Sequence, residues 1–364
     1  MALTAIDAFA GAGGLSLGVK RAGFDVRLAF DNDPIAVATH SKNFAVPAIA
    51  LDAASVNGQE LLSAAGLAPG ELDLLAGGPP CQGFSLQRRG DRSDERNKLV
   101  LRYLDWIDEI RPKAFLIENV PAIRGVRGNN VLGVISESVA RAGYSTHVAT
   151  LNAADFGVAQ VRRRAFLIGI AEGHSFEWPE PTHVGSHRTV RDAISDLPSP
   201  PEDGRPHSSV LNHYREARLS ALNIERIKHV PEGGGRTSLP PHLELACHAN
   251  GHRHLDTYGR LAWNSPSVTI TARFDSFTRG RFGHPVEHRS ITLREGARIQ
   301  GFPDSFEFLG NREQGARLIG NAVPPLLGEH LARSIRSALL SQPTGQMSLL
   351  GLSAPEVENR EMAS

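Results

Sequence analysis

A single cysteine stands in a short segment whose glycines and prolines restrict the backbone. Residues 77–85 read Gly-Gly-Pro-Pro-Cys-Gln-Gly-Phe-Ser and follow the apolar run of residues 72–76. An apolar run bounded by Gly and Pro indicates a buried strand that ends in a loop. The chain has one other cysteine, Cys247, and no CxxC spacing, which argues against a disulfide framework or a cysteine cluster. Cys81 is therefore a candidate nucleophile, and a buried structural thiol is the alternative.

A glycine-rich turn lies near the N-terminus. Residues 7–14 read Asp-Ala-Phe-Ala-Gly-Ala-Gly-Gly, between a predicted strand and a predicted helix. Glycines there let the backbone approach a cofactor, a signal that NAD, FAD and S-adenosylmethionine sites share. Asp31 ends the second predicted strand, about 20 residues further on, and suits a ribose diol. Asp52 follows the third, where an acid could accept a hydrogen bond from an adenine amino group. Helix capping is the alternative for both acids.

A carboxylic acid ends another apolar strand. Residues 117–120 read Ile-Glu-Asn-Val, and this strand is predicted to neighbour the one that leads to Cys81. Partial burial raises the pKa of a glutamic acid, so Glu118 could donate a proton near neutral pH. An ion pair with a nearby arginine is the alternative.

A basic run precedes the last predicted strand of the first half. Residues 160–164 read Gln-Val-Arg-Arg-Arg and continue into the apolar residues 165–170. Alternation along a strand places Arg162 and Arg164 on one face and Arg163 on the other. Two guanidinium groups on one face could hold a base carbonyl and a phosphate. A solvated basic face is the alternative.

These segments, together with Gly-Asn-Ala-Val-Pro-Pro at residues 320–325, occur in an order that resembles the DNA cytosine-5 methyltransferase family, in its prokaryotic restriction–modification form. The resemblance covers nearly everything except residues 199–262 and the tail. It implies that Cys81 attacks C6 of a flipped-out cytosine while Glu118 protonates N3. It also implies that Arg162 and Arg164 steady the base and the catalytic loop, and that no metal is needed.

The resemblance further implies that S-adenosylmethionine is the methyl donor. The positions that match its binding residues are Phe9, Gly11, Gly13, Gly14, Asp31, Asp52, Pro79 and Asn321. Family members often carry Glu at the Asp31 position. Asp31 has a shorter side chain, and whether it reaches the ribose is left open by the sequence.

Double-stranded DNA is the substrate that the resemblance implies. The polar loop of residues 82–97 is expected to close over DNA, and the irregular residues that follow position 199 are expected to read the bases. The predicted contacts, chosen by residue type, are Gln82, Ser85, Arg88, Arg89, Arg236, Arg253, Arg260, Arg273, Arg279 and Arg281. The group Cys247, His248, His252 and His254 has no common zinc spacing, so these histidines are expected to face DNA.

The elements that must position these residues alternate in the βαβ manner over residues 1–180. This pattern predicts an α/β fold with a doubly wound, mostly parallel sheet of the Rossmann-like methyltransferase type. We expect a catalytic domain at residues 1–198, a target-recognition domain at 199–265 and a returning segment at 266–340. Regular patterning resumes at residues 267–272, and the last helix is predicted from residue 324 to about 340. The polar tail, residues 341–364, is predicted to be disordered.

Composition sets the class of protein. The 364 residues include 39 Lys and Arg and 39 Asp and Glu, so the net charge is zero. The charge is uneven: residues 1–80 carry 4 basic and 8 acidic side chains, whereas residues 201–300 carry 14 and 10 with 9 of the 15 histidines. This distribution favours contact with a polyanion by one part of the chain, and random drift of surface charge is the alternative.

No signal peptide or membrane span is predicted, and the two cysteines indicate the cytoplasm. We expect a monomer, with a restriction endonuclease as a functional rather than a physical partner.

Three other functions are weighed against this interpretation. A tRNA cytosine-5 methyltransferase shares the Pro-Pro-Cys-Gln segment, but Gly83, Phe84 and Ser85 favour DNA. A catalytically silent DNA-binding paralogue should have lost Cys81, Glu118 or the glycine turn. A nicotinamide dehydrogenase would leave Cys81, Glu118 and the arginines of residues 160–164 without a role.

Overall fold

The computed structural model describes residues 2–80, 98–124, 129–216, 219–245 and 256–341. Seven strands form one sheet. Their bounds are β1 Leu3–Ala8, β2 Phe24–Asp31, β3 Ile49–Ala50, β4 Leu74–Gly77, β5 Ala114–Asn119, β6 Tyr144–Asn152 and β7 Arg163–Ala171. The order across the sheet is β3-β2-β1-β4-β5-β7-β6.

Helices connect and cover these strands. Their bounds are α1 Gly14–Arg21, α2 Pro34–Asn43, α3 Gly58–Ala65, α4 Lys98–Ile110, α5 Asn129–Arg141, α6 Val190–Ile194, α7 Ala221–His229, α8 Leu293–Ile299, α9 Arg312–Asn321 and α10 Pro325–Leu340. None of the described helices is long and apolar enough to cross a membrane.

The strand pairing confirms the predicted mostly parallel sheet and shows that the sheet is mixed. Strands β1 to β5 pair in parallel, while β7 pairs antiparallel with β5 and with β6. Parallel strands are covered on both faces and therefore read as continuous apolar runs. Adjacent residues of β4 show this directly, because Leu75 packs with α3 and α4 while Leu74 packs with α1 and α10.

The last helix lies against the first. A Cβ atom on Gly18 of α1 would come within 2.6 Å of the Glu329 nitrogen of α10, so the two helices meet at backbone distance. Leu327 and Leu331 of α10 join the core on that face of the sheet. The polypeptide thus returns from its C-terminal part to the strand that begins it.

The middle of the chain has little regular structure. In the described part of residues 199–265 there is one α-helix, α7, besides short 3-10 turns. Residues 267–272 do not form the regular element that their pattern indicates; they contribute an isolated bridge between Ser267 and Gln160. Their backbone is held by the Gln160 side chain, whose Oε1 accepts a hydrogen bond from the Ile270 nitrogen at 2.7 Å.

Candidate active site

A pocket of about 460 Å³ opens at the carboxyl ends of β1, β2, β4 and β5, the edge where open α/β sheets bind their ligands. The C-terminal part of the chain closes one side through the turn at the end of α9. Residues from the sequence predictions that line the pocket are Phe9, Gly11, Asp31, Asp52, Pro79, Glu118, Arg162, Arg164 and Asn321.

The glycine-rich turn contributes to the pocket through only some of its residues. Gly11 lines the pocket, has a φ of +55°, and leaves open space where a Cβ would point. Gly13 and Gly14 are not among the lining residues. A Cβ on Gly14 would lie 2.3 Å from the Val323 carbonyl oxygen, so this glycine allows α1 to meet the turn before α10. Phe9, with a φ of 57°, holds a conformation uncommon for a side chain of its size.

The two acids have structural partners and still face the pocket. Asp31 accepts hydrogen bonds from the Gly11 and Asp33 nitrogens, each at 2.9 Å. Asp52 accepts one from the Ala54 nitrogen at 3.0 Å. A carboxylate has about four lone-pair directions, so each acid keeps the capacity to accept from a ligand hydroxyl or amine. The capping alternative therefore does not exclude a role in binding.

The residues present fit S-adenosylmethionine. The ligand has an adenine ring, a ribose diol and a positively charged methionyl end, and it carries no phosphate. Phe9 supplies aromatic surface and packs against the buried Phe30, with ring centroids 6.2 Å apart, while Asp31 and Asp52 supply acceptors. Asp7 also lines the pocket, and its buried Oδ1 has no hydrogen-bond partner among the described residues.

Glu118 lies on the pocket wall beside the strand that leads to Cys81. The parallel pairing of β4 with β5 confirms that neighbour relationship. Arg164 Nε lies 3.0 Å from Glu118 Oε1, and both side chains are about 15% exposed. Burial raises the pKa of Glu118, and the charges of Arg164 and Arg162 only partly oppose that effect. The pocket therefore holds a carboxyl group that keeps its proton to a higher pH than an ordinary glutamate.

Asn119 joins the two loops on either side of this position. Its Nδ2 donates to the Pro79 carbonyl oxygen at 3.2 Å, and its Oδ1 accepts from the Val120 nitrogen. Below them the Tyr103 hydroxyl lies 2.9 Å from the Leu75 carbonyl oxygen of β4. Pro79 and Pro80 are thus fixed at the mouth of the pocket, directly before Cys81, which lies outside the described residues.

The arginine pair divides as the alternation predicts, because Arg162 is buried, Arg164 is partly buried and Arg163 is exposed. Arg162 Nη1 donates to the Ile270 carbonyl oxygen at 2.9 Å. Its Nη2 donates to the Gly320 and Ala322 carbonyl oxygens at 2.9 and 3.0 Å. Arg162 therefore fixes the turn that presents Asn321.

Several pocket residues are missing from the sequence predictions. Asp7 is the first residue of the glycine-rich segment 7–14, so the sequence does carry a signal for it. Arg317 forms an ion pair with Asp33 at 2.5 Å on the same pocket wall, a contact between residues far apart in the sequence. Ser16 and His40 lie behind Asp7, which Ser16 contacts directly.

Arg260 requires a correction among the predicted DNA contacts. It is 2% exposed, and its guanidinium donates to the carbonyl oxygens of Ile227, Val230, His284 and Glu287. All its donor nitrogens are used within the protein, so it is not available to read a base edge. An arginine in an irregular region was expected to contact DNA. The hydrogen bonds of Arg260 instead hold that region of the protein together.

The other predicted DNA contacts differ in their surroundings. Arg281 donates to the Gly234 carbonyl and to Asp256, and Arg273 pairs with Glu313 at 3.1 Å. Arg279 is exposed and Arg236 is half-buried. The remaining predicted contacts lie outside the described residues; they are Gln82, Ser85, Arg88, Arg89 and Arg253. The group of Cys247, His248, His252 and His254 and the tail from residue 342 also lie outside the described residues.

Comparison with known proteins shows the family. The family model for C-5 cytosine-specific DNA methylase matches residues 3–337. Type II methyltransferase M.XorII of Xanthomonas oryzae is 36% identical over 96% of this chain and 90% of its own. M.AgeI of Thalassovita gelatinovora is 33% identical over 92% and 99% of the two chains.

Solved structures agree. A prophage-encoded protein of E. coli, described as a DNA modification methyltransferase, superposes with a TM-score of 0.73 and 26% identity over 93% of this chain and 99% of its own. The Dnmt2 methyltransferase of S. pombe, at 18% identity and a TM-score of 0.62 over 93% and 99% of the two chains, shares the fold. The chain therefore belongs to the C-5 cytosine-specific DNA methylase family and is a DNA cytosine-5 methyltransferase that uses S-adenosylmethionine as its methyl donor.

Proposed function

We propose that the enzyme methylates C5 of a cytosine within a short specific site of double-stranded DNA, through a covalent bond between Cys81 and cytosine C6. The observation that carries this proposal is Glu118, a partly buried acid with a raised pKa on the strand next to the one that leads into Cys81. The reacting carbons lie inside a duplex, so the target nucleotide must leave the base stack and enter the pocket.

Each residue then has one task. The Cys81 thiolate adds to C6 while Glu118 gives its proton to N3, and the electron pair of the C5–C6 bond becomes available at C5. Arg164 holds the Glu118 carboxyl in place through its Nε contact. S-adenosylmethionine supplies an electrophilic methyl group to C5. A base, which a water molecule could provide, then takes the C5 proton. Cys81 leaves as thiolate to restore the aromatic ring, and N3 returns its added proton to Glu118.

The test is bisulfite sequencing of plasmid DNA from cells that express the wild type or Cys81→Ala. We expect protected cytosines within one short motif for the wild type and none for the variant. Protection that survives in Cys81→Ala would contradict the covalent mechanism. A soluble wild type that binds the cofactor but protects no cytosine would contradict DNA as the substrate. RNA would then be the substrate to test.

We propose further that the enzyme acts as a monomer in the bacterial cytoplasm and has a restriction endonuclease as a functional partner. The Type II methyltransferase names of its bacterial relatives support a restriction–modification role. Plasmid modified in cells should resist an endonuclease that cuts the protected motif. Light scattering of the purified protein should give the mass of one 39.2 kDa chain, and a larger mass would contradict the monomer.

A further inference from the structure

Two glycines at the end of β4 lead towards Cys81, and their surroundings differ. Gly77 is the last residue of β4 and is buried, whereas Gly78 follows the strand and lines the pocket. A Cβ atom on Gly77 would come within 2.7 Å of the Ala8 carbonyl oxygen of β1. Gly77 therefore allows two neighbouring strands to approach each other, and this explanation does not extend to Gly78.

The backbone of Gly78 does not by itself require a glycine. Its φ lies outside the left-handed region in which residues with a Cβ are strained. Pro79, which follows it, favours an extended conformation at this position, and alanine adopts that conformation as readily as glycine does. What distinguishes Gly78 from an alanine is therefore the missing side chain and the space that it leaves.

That space lies beside Glu118. A Cβ atom on Gly78 would be 3.3 Å from Glu118 Oε2 and 3.8 Å from the Glu118 carbonyl oxygen. Apart from the chain neighbours of Gly78, no other described residue has a heavy atom within 4 Å of the Cβ position. The contact with Oε2 would be tighter than an ordinary van der Waals contact, so the carboxyl group would have to move by a few tenths of an ångström.

The two oxygens of the Glu118 carboxyl group have different tasks. Arg164 Nε lies 3.0 Å from Oε1, and a guanidinium N–H can only donate, so Oε1 accepts and the proton of the acid lies on Oε2. The N3 atom of the base must come within about 2.6–3.2 Å of the oxygen that gives it this proton. A methyl group 3.3 Å from Oε2 would narrow that approach, because Gly78 and Glu118 line the same pocket.

We propose that Gly78 is a positioning residue for this proton transfer: its missing side chain leaves Glu118 Oε2 in place and open to N3 of the flipped cytosine. In the transfer the Oε2–H bond breaks as the N3–H bond forms. The carboxylate that remains stays paired with Arg164 until N3 returns the proton. The inference rests on the proposed function, and it concerns neither the cofactor site nor the sequence of the DNA site.

A purely structural role for Gly78 would have different consequences. The Cβ of an alanine at position 77 would meet the backbone of β1 inside the protein, so Gly77→Ala should lower the free energy of unfolding. The Cβ of an alanine at position 78 would meet one side chain, at the pocket. Gly78→Ala should therefore act mainly on the rate of methyl transfer, and it should act through Glu118.

The experiment measures single-turnover methyl transfer by the full chain to a duplex oligonucleotide that carries the motif protected in the bisulfite assay. Gly78→Ala should be slower than the wild type by about tenfold or more, because the proton donor is displaced and its approach narrowed. Its affinity for S-adenosylmethionine, measured by calorimetry, should stay within about twofold of the wild-type value. The control is Gly133→Ala, the same change in α5 with open space at the Cβ position, which should match the wild-type rate.

A second background tests whether the effect passes through Glu118. Glu118→Asp withdraws the carboxyl group by one methylene and should itself be slow. Adding Gly78→Ala to Glu118→Asp should cost less than about a further twofold, because both changes act on one interaction and their effects are then not additive. A methyl group that simply obstructed the base would instead cause the same tenfold loss in both backgrounds.

Two results would overturn the assignment: a Gly78→Ala rate within about twofold of the wild type, or equal losses in the two backgrounds. If Gly78→Ala does not fold, the double variant Gly78→Ala/Glu118→Asp decides. It should fold when Glu118 alone opposes the methyl group, and an unfolded double variant would contradict the proposal. A wild type that methylates no DNA would contradict the proposed function itself, so the two failures are distinct.

Discussion

Glu118 and Arg164 form an ion pair across the antiparallel strands β5 and β7, with Glu118 Oε1 3.0 Å from Arg164 Nε. The pair does not prevent Glu118 from acting as an acid. Burial raises the pKa of its carboxyl more than the two neighbouring arginines lower it. The arginine therefore orients the carboxyl group, while burial extends to higher pH the range in which that group can hold a proton. The two interpretations that the sequence left open are compatible.

Glu118→Gln should reduce the rate of methyl transfer by about 100-fold or more, because general acid catalysis typically contributes 10²–10⁴-fold. S-Adenosylmethionine affinity should stay within about twofold. The wild-type rate should fall as the pH rises through the raised pKa of Glu118, since only its protonated form can donate, and the variant should lack that alkaline limb. Single-turnover rates across pH provide the check. A variant that keeps the alkaline limb would show that another group supplies the proton.

Arg162→Met should lower the free energy of unfolding by about 3 kcal/mol or more, because three backbone carbonyls lose their donor inside the protein. It should also weaken cofactor binding, since the turn that bears Asn321 loses its support. Urea unfolding and calorimetry measure the two effects. The matched control is Arg163→Met on the exposed face, which should change stability by less than about 0.5 kcal/mol. Equal losses in both variants would contradict the role assigned to Arg162.

Gly14→Ala should destabilise the protein by about 1–3 kcal/mol, because its Cβ would meet the Val323 carbonyl oxygen at 2.3 Å. That contact is with backbone and cannot be relieved by a rotamer change. Gly133→Ala is the control, since Gly133 lies in α5 with open space around its Cβ position. Replacement of such a helical glycine by alanine should raise the free energy of unfolding by about 0.5–1 kcal/mol. Thermal unfolding of the two variants should therefore shift in opposite directions.

Arg260 and Arg279 should respond in opposite ways to substitution. Arg260→Met should lower the unfolding temperature, because its guanidinium binds backbone carbonyls inside the protein. Arg279→Ala should leave stability unchanged and weaken DNA binding. If Arg279 contacts a phosphate, the slope of log affinity against log salt should fall by about 0.9. Duplex binding at several salt concentrations tests this, and an unchanged slope would remove Arg279 from the DNA surface.

The fold could be predicted because the central strands β4 and β5 are apolar along most of their length. Parallel strands covered on both faces have no polar side, and the runs at residues 72–76 and 114–118 show this clearly. β3 escapes such a pattern because it is only two residues long, Ile49–Ala50. Residues 267–272 carry an extended pattern without a ladder, because the Gln160 side chain and the loop before β7 satisfy their backbone groups.

The pocket residues were predictable for a related reason. Phe9, Asp31, Asp52, Pro79 and Glu118 all follow or end apolar runs, and the carboxyl ends of parallel strands meet at one edge of the sheet. Their position in the chain therefore implies that they meet in space. Arg162 and Arg260 carry no such signal, since an arginine in the sequence reads the same whether its guanidinium meets a phosphate or a buried carbonyl.

The order of the elements, the edge at which the site forms and the residue types that reach it follow from the amino-acid sequence. Which polar atoms have partners at that edge depends on tertiary contacts. The Ser16 hydroxyl, which His40 Nε2 also contacts, donates to one oxygen of Asp7, and the other oxygen has no donor among the described residues. Burial and hydrogen-bond satisfaction depend on contacts between residues distant in the chain, and no local pattern encodes them.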